Sequence, residues 1–242
     1  MEINLNTSVG EIVKGNYKTA RIFDQHKIDF CCGGAISVKD ACSKANVSQE
    51  VLLEELETVF LTDDPDSKYI DSLGLDQLSD YIVARHHSYV SQNIPFLQQK
   101  LQKLCDVHGE NHPELFKVKD LFSTAAGNLT MHMQKEELVL FPYIQKMVQY
   151  KNGDTSIANE FGGVNGPIEV MLQEHQAEGE RFFEIADLTS DYTCPPDGCN
   201  TYRITYQTLS DFEQDLHRHI HLENNILFLK ALALEKEIIS KN

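Results

Sequence analysis

From residue 76 onward, apolar residues recur in a 4-3 alternation, the period of helices that bury one face. The pattern predicts four long helices, near 76–107, 113–149, 166–189 and 200–236. HGENH, the glycine-rich NGDTSIANEFGGVNG and SDYTCPPDGCN separate them, and Asn165 ahead of Pro167 suits a helix start. Residues 1–60 read as a small helical module: VGEIVKGNYKTARIF, a turn carrying FCCGG, SVKDACSKA with Ser37 and Asp40 spaced as a capping box, and SQEVLLEELETVF. The acidic stretch 61–75, with Pro65 and Gly74 amid Asp and Ser, reads as a linker, leaving 76–242 as the larger domain. The class is all-α.

Polar residues interrupt the apolar seam of each long helix at particular places. Val83, Val90, Ile94, Leu97, Leu101 and Leu104 leave one gap, filled by His87, with His86 off the seam. Leu115, Val118, Phe122, Ala125, Leu129, Val139 and Tyr143 leave His132 and Glu136. Ile168, Met171, Phe182 and Ile185 leave His175; Leu209, Phe212, Leu216 and Ile226 leave His219 and Glu223. The segments HMQKE and HIHLE recur at an offset of 87 residues, each preceded by a single histidine, His87 or His175, so two helical hairpins in approximate two-fold symmetry are expected to form a four-helix bundle.

Four imidazoles and two carboxylates in an apolar interior need compensation, which metal ions supply. Imidazole with carboxylate suits iron, manganese or zinc, and two carboxylates able to bridge point to a dinuclear centre. The i, i+4 spacing of H-x₃-E places both groups on one helix face, and the E-x-x-H motif of ferritin-type bundles is absent from the chain. Of the 10 histidines, His217 and His221 are expected to face away from the seam, His108 and His112 fall in a loop, and His26 precedes the cysteine turn. Glu174 reads either as a support for a neighbouring ligand or as a solvated helix residue.

Six cysteines in 242 residues are too sparse for a disulfide framework, and MEINLNTSVGEIV lacks the pattern of a secretory signal, so reduced thiols in the cytoplasm are expected. No apolar run is long enough to span a membrane, and a net charge of -16 argues against nucleic acid or an anionic membrane as partner. Cys31 and Cys32 are adjacent, too close for a relaxed mutual disulfide, so they are either a reactive pair beside a flexible turn or two small buried residues. Cys194 and Cys199 bracket PPDG and can close a ring only under oxidation; Cys42 and Cys105 look like packing residues.

DFCCGG at residues 29–34, followed by HMQKEELVLFP and HIHLENNILFL, resembles the di-iron iron–sulfur cluster repair proteins, the repair of iron centres family, over nearly the whole chain. The resemblance implies a hemerythrin-like bundle behind a small N-terminal helical domain. It also implies iron ligands at His87, His132, Glu136, His175, His219 and Glu223, and a functional thiol pair at Cys31 and Cys32 that takes up iron, nitric oxide or electrons. Leu229 stands where a proline is common, and no ligand is affected. The expected cofactor is two iron ions bridged by Glu136, Glu223 and an oxo or hydroxo group. The expected function is repair of clusters damaged by nitrosative or oxidative stress through iron donation, with damaged iron–sulfur proteins, nitric oxide or oxygen as partners. A nitric oxide or peroxide reductase, an oxygen or nitric oxide sensor, and a homodimer stay open.

Overall fold

A computed structural model describes residues 3–154, 156, 161 and 163–241. The glycine-rich stretch expected between the second and third long helices lies partly outside the described residues, at 155, 157–160 and 162. Twelve α-helices follow in order among the described residues: α1 Val9–Gly15, α2 Ala20–Gln25, α3 Val38–Ala45, α4 Gln49–Phe60, α5 Pro65–Ser72, α6 Leu75–Ile82, α7 Ser88–His108, α8 Glu114–Lys135, α9 Phe141–Lys151, α10 Asn165–Leu188, α11 Asn200–Leu222 and α12 Phe228–Lys241. The one β feature among these residues is an isolated bridge between Ser8 and Ser37. No helix among them is long and apolar enough to cross a membrane.

Three π-helical turns join helices without a break: Val83–His87 between α6 and α7, Glu136–Leu140 between α8 and α9, and Glu223–Leu227 between α11 and α12. A π turn holds one residue more than an α turn, so it rotates everything beyond it by roughly 100° around the helix. The buried stripe slips by one position as a result. Val139 and Tyr143, expected on the seam, give way to Leu140 and Ile144; Val139 is 59% exposed while Leu140 is 2%. On the other side of His87, Ile82 and Leu78 are fully buried where the unbroken alternation selects Val83.

The chain divides into two compact units, Met1–Ser79 with Ile144–Val164 and Ile220–Asn242, and Asp80–Tyr143 with Asn165–His219. In the first, Ser8 caps α1 through the Glu11 N–H at 3.3 Å and Ser37 caps α3 through the Asp40 N–H at 3.1 Å. Val9, Ile12, Val13, Phe23, Phe30, Val38, Leu52 and Leu56 form its apolar interior. The stretch read as a linker is folded here: α5 starts at Pro65, and Asp64 and Ser67 both accept from the Tyr17 N–H at 2.9 Å. Asn16 closes the end of α4 by donating to the Val59, Phe60 and Thr62 carbonyls.

The second unit holds the central parts of the long helices. Phe122, Phe182 and Phe212 are fully buried and meet ring to ring at 5.4 to 6.5 Å. Leu97, Leu101, Leu115, Val118, Ile185 and Leu209 extend this interior along the helices. Against that apolar background the buried histidines stand out.

Candidate metal centre

His87 closes the first π turn, His132 lies in the last turn of α8, Glu136 opens the second π turn, His175 sits in α10 and His219 in α11. All of them are 3% exposed or less. Glu136 Oε2 lies 3.3 Å from His87 Nε2 and 3.4 Å from His132 Nε2, so one carboxylate oxygen serves two imidazoles. His175 Nε2 is 3.0 Å from His132 Nε2, and the His87 and His219 rings are 4.9 Å apart. α11 runs unbroken into the π turn that Glu223 opens, so Glu223 follows His219 by one turn. Within the second unit the candidate ligand atoms form two sets, His87–Glu136–His219 and His132–Glu136–His175, each within 4.8 Å.

The donor set fits a pair of cations. Two imidazole nitrogens at 3.0 Å can satisfy each other only if one carries a proton, whereas a shared cation satisfies both, along with the carboxylate between them. His87, Glu136 and Glu223 each stand in a π turn, which widens the helix at that residue. Such turns are frequent at functional sites because the extra residue re-aims a side chain.

Carboxylates outside these sets fix two of the four imidazoles. Glu137 Oε1 is 2.7 Å from His87 Nδ1, and Glu174 Oε2 is 2.9 Å from His132 Nδ1. With Nδ1 engaged, Nε2 is held toward the interior in one tautomer. Burial acts to raise the Glu174 pKa, but hydrogen bonds from Lys135 and His132 outweigh it and hold the carboxyl below its ordinary range. Of the two readings for Glu174, the geometry therefore carries the supporting one. Glu137 was not legible: nothing in its position beside Glu136 separates it from a solvated helix residue.

His86 differs from expectation. Although it falls off the seam, it is 1% exposed, with Nδ1 3.0 Å from Asp215 Oδ1 and its ring stacked 5.7 Å from that of His219. The π turn ending at His87 brings both neighbours inside. His217 and His221, expected to face elsewhere, are also buried, His217 against Phe183 and His221 against Tyr17 and Phe30.

Within the first unit the FCCGG turn is built around Asp29. Its Oδ1 accepts from the Cys31 and Cys32 N–H groups and its Oδ2 from that of Gly33, each at 2.9 Å. The two sulfurs are 3.7 Å apart, and Asp29, Cys31 and Cys32 offer ligand atoms within 4.8 Å of one another. Asn224 donates to the Cys31 carbonyl at 3.2 Å, and Asn225 to the Phe30 and Cys31 carbonyls. A Cβ at Gly34 would lie 2.6 Å from the Phe30 carbonyl and 2.8 Å from Asn225 Oδ1, so this close approach requires glycine. The hydrogen bond to Cys32, burial and the Asp29 charge together push the Cys31 thiol well above its ordinary pKa.

Comparison with known proteins supplies the family. Residues 5–59 match a domain of unknown function, DUF542, and residues 79–231 match the hemerythrin HHE cation binding domain. The chain is 35% identical to the iron–sulfur cluster repair protein YtfE of Yersinia pestis over 230 residues, 95% of this chain and 98% of that one. It is 33% identical to the iron–sulfur cluster repair protein ScdA of Staphylococcus haemolyticus, and 32% to that of Staphylococcus epidermidis, each over 224 residues, 92% of this chain and 96% of the relative. With both domains matched in this order, and kinship along nine-tenths of its length, the chain belongs to the hemerythrin HHE family, among the iron–sulfur cluster repair proteins.

Proposed function

We propose that this chain repairs damaged iron–sulfur clusters by carrying two iron ions between His87, His132, Glu136, His175, His219 and Glu223 and giving iron up to the cluster. The observation that carries the reading is the sharing of Glu136 by both ligand sets, since a carboxylate common to two sets suits bridging. Glu223, one helix turn beyond His219, would help to hold the ions. Six protein groups for two ions leave ligand positions to exchange, which suits a donor. The names of the relatives support the same function, and damaged iron–sulfur proteins are then the partners.

Cys31 and Cys32 serve transfer in this reading. The Asn224 clamp on the Cys31 carbonyl is adjacent in sequence to Glu223, so the thiol turn is tied to the helix that supplies a ligand. The raised Cys31 pKa means that iron must displace a proton there, which makes any thiolate ligation pH-dependent.

The test is metal analysis of anaerobically purified protein, with visible spectra and an apo-cluster acceptor present. We expect about two irons per chain and recovery of the acceptor as iron leaves. A folded protein holding one tetrahedral zinc, or iron that never reaches the acceptor, would end the proposal. Replacing Cys31 and Cys32 together by Ser should keep iron loading and lower transfer. Transfer at the unaltered rate would return the pair to a packing role.

A further inference from the structure

The second unit gathers a further set of reactive side chains around the loop CPPDGC. The Gly198 N–H donates to the Pro195 carbonyl at 2.9 Å, closing a turn of residues 195–198 with proline at its second position and glycine at its last. Cys194 and Cys199 flank that turn. The Cys194 sulfur packs against Gly198, where a Cβ would come within 2.5 Å of it; glycine therefore lets this sulfur lie one residue away from Cys199. Both thiols are unbridged, and Cys199 is exposed.

Cys199 also stands immediately before α11, where its carbonyl accepts the Arg203 N–H at 3.1 Å. His108, from the last turn of α7, places Nε2 3.3 Å from the Cys199 sulfur. The turn is pinned from the same side by His112, whose Nε2 is 3.0 Å from Asp197 Oδ1. The Tyr202 ring lies 5.3 Å from the His108 ring and 5.6 Å from that of His112. The hydrogen bond with His108 and the Tyr202 N–H lower the Cys199 thiol to about 7, against a small opposing effect of burial. A thiol beside an imidazole at a helix N-terminus has the setting of a nucleophile.

We propose that Cys199 and Cys194 form a hydroperoxide-reactive thiol pair, with His108 as the proton donor and Cys194 as the resolving thiol, separate from the metal centre. The second thiol selects an oxidant over an acyl donor, because it gives the oxidised sulfur a partner within the same turn. The Cys199 thiolate attacks one oxygen of hydrogen peroxide, forming an S–O bond as the O–O bond breaks. Sulfur loses two electrons, and the departing hydroxide takes the His108 proton and leaves as water. The Cys194 thiol then attacks the sulfenic sulfur; the S–S bond forms, the S–O bond breaks, and the hydroxyl leaves with the Cys194 proton as a second water. Two thiols and one peroxide thus become one disulfide and two waters.

The experiment uses the full-length, iron-loaded protein and maps peptides after treatment with iodoacetamide or hydrogen peroxide. Cys199 should alkylate with a pH midpoint near 7, ahead of buried Cys42 and Cys105, whose thiols burial pushes up. In His108→Asn the midpoint should rise, and the rate at pH 7 should fall about three- to fivefold, the gain in thiolate fraction being partly offset by the lower nucleophilicity of a low-pKa thiolate. Peroxide should give a Cys194–Cys199 disulfide that dithiothreitol reverses, and Cys194→Ser should leave a sulfenic acid at Cys199 that dimedone traps. Iron content should be unchanged in both variants, which separates this chemistry from oxidation at the metal. An alkylation midpoint near 8.5 to 9 in the unaltered protein, or a disulfide that forms as fast without His108, would overturn the proposal.

Discussion

His132 and His175 meet inside the second unit with their Nε2 atoms 3.0 Å apart, while His108 and His112 engage a thiol and a carboxylate at a half-exposed helix end. About 30 Å of helix separates His112 from His132. The same side chain faces opposite demands in the two places. In the interior it must be neutral to ligate, and at His132 a carboxylate on Nδ1 sets its direction; at the helix end His112 gains from carrying a proton. Burial decides which demand applies.

The largest effect should separate these regions outright. His132→Ala should lose most of the iron and destabilise the fold by about 3 to 5 kcal/mol, because Glu136 keeps its buried charge with one imidazole fewer beside it. His112→Ala should leave iron content unaltered and cost at most about 1 kcal/mol, as expected of pairs near the surface. Metal analysis and urea unfolding measure both. Similar losses in the two variants would erase the distinction.

The interior region was legible because a helix repeats its environment every turn: His87, His132, Glu136, His175, His219 and Glu223 each fill a gap in an apolar series, and the structure gathers the five that lie in the second unit around Glu136. The π turns were not legible. Each replaces the regular α-helical hydrogen bonding over a single turn, and that local change leaves no periodic trace, so the alternation points to Val139 where Leu140 is buried. The helix-end region escaped for another reason. His108 and Cys199 are 91 residues apart, and contact between a helix end and a distant loop has no period to read.

Variants that remove a support should have a smaller effect. Glu137→Gln and Glu174→Gln each keep the volume and weaken the hydrogen bond that orients His87 or His132. Iron affinity should fall about 10- to 100-fold in a competition titration against a chelator, with the fold retained. Asp197→Asn, the equivalent change beside His112, should leave that affinity alone. His86 sharpens the contrast from within the interior, since it belongs to neither ligand set yet is as buried as its neighbour His87. His86→Ala should therefore keep about two irons per chain while lowering stability by about 1 to 3 kcal/mol, because it strips a buried partner from Asp215. Iron loss equal to that of His87→Ala would move His86 into the ligand set.

The smallest effect is a dependence on pH with opposite signs in the two regions. Burial acts to lower the His112 pKa, but hydrogen bonds and charge from Asp197 and Glu114 outweigh it and raise the pKa above its ordinary value. Asp197 is lowered in turn, first by its hydrogen bond from His112. A raised histidine contributes stability that is fully present below the unfolded value of about 6.5 and fades as pH rises through the folded pKa. A lowered aspartate contributes above about 3.9 and fades as pH falls through its folded pKa. The pair is thus strongest between about pH 4 and 6.5, and His112→Gln should cost up to about 1 kcal/mol at pH 6 and less at pH 8.5. The metal centre runs the other way: its imidazoles must be deprotonated to ligate, so iron should be released as pH falls below about 6.5. Unfolding of the iron-loaded protein and of His112→Gln at both pH values, with iron measured alongside, tests the two signs together. If the cost of His112→Gln grew from pH 6 to 8.5, the helix-end imidazole would be acting as a neutral acceptor, and the opposition between the two regions would fail.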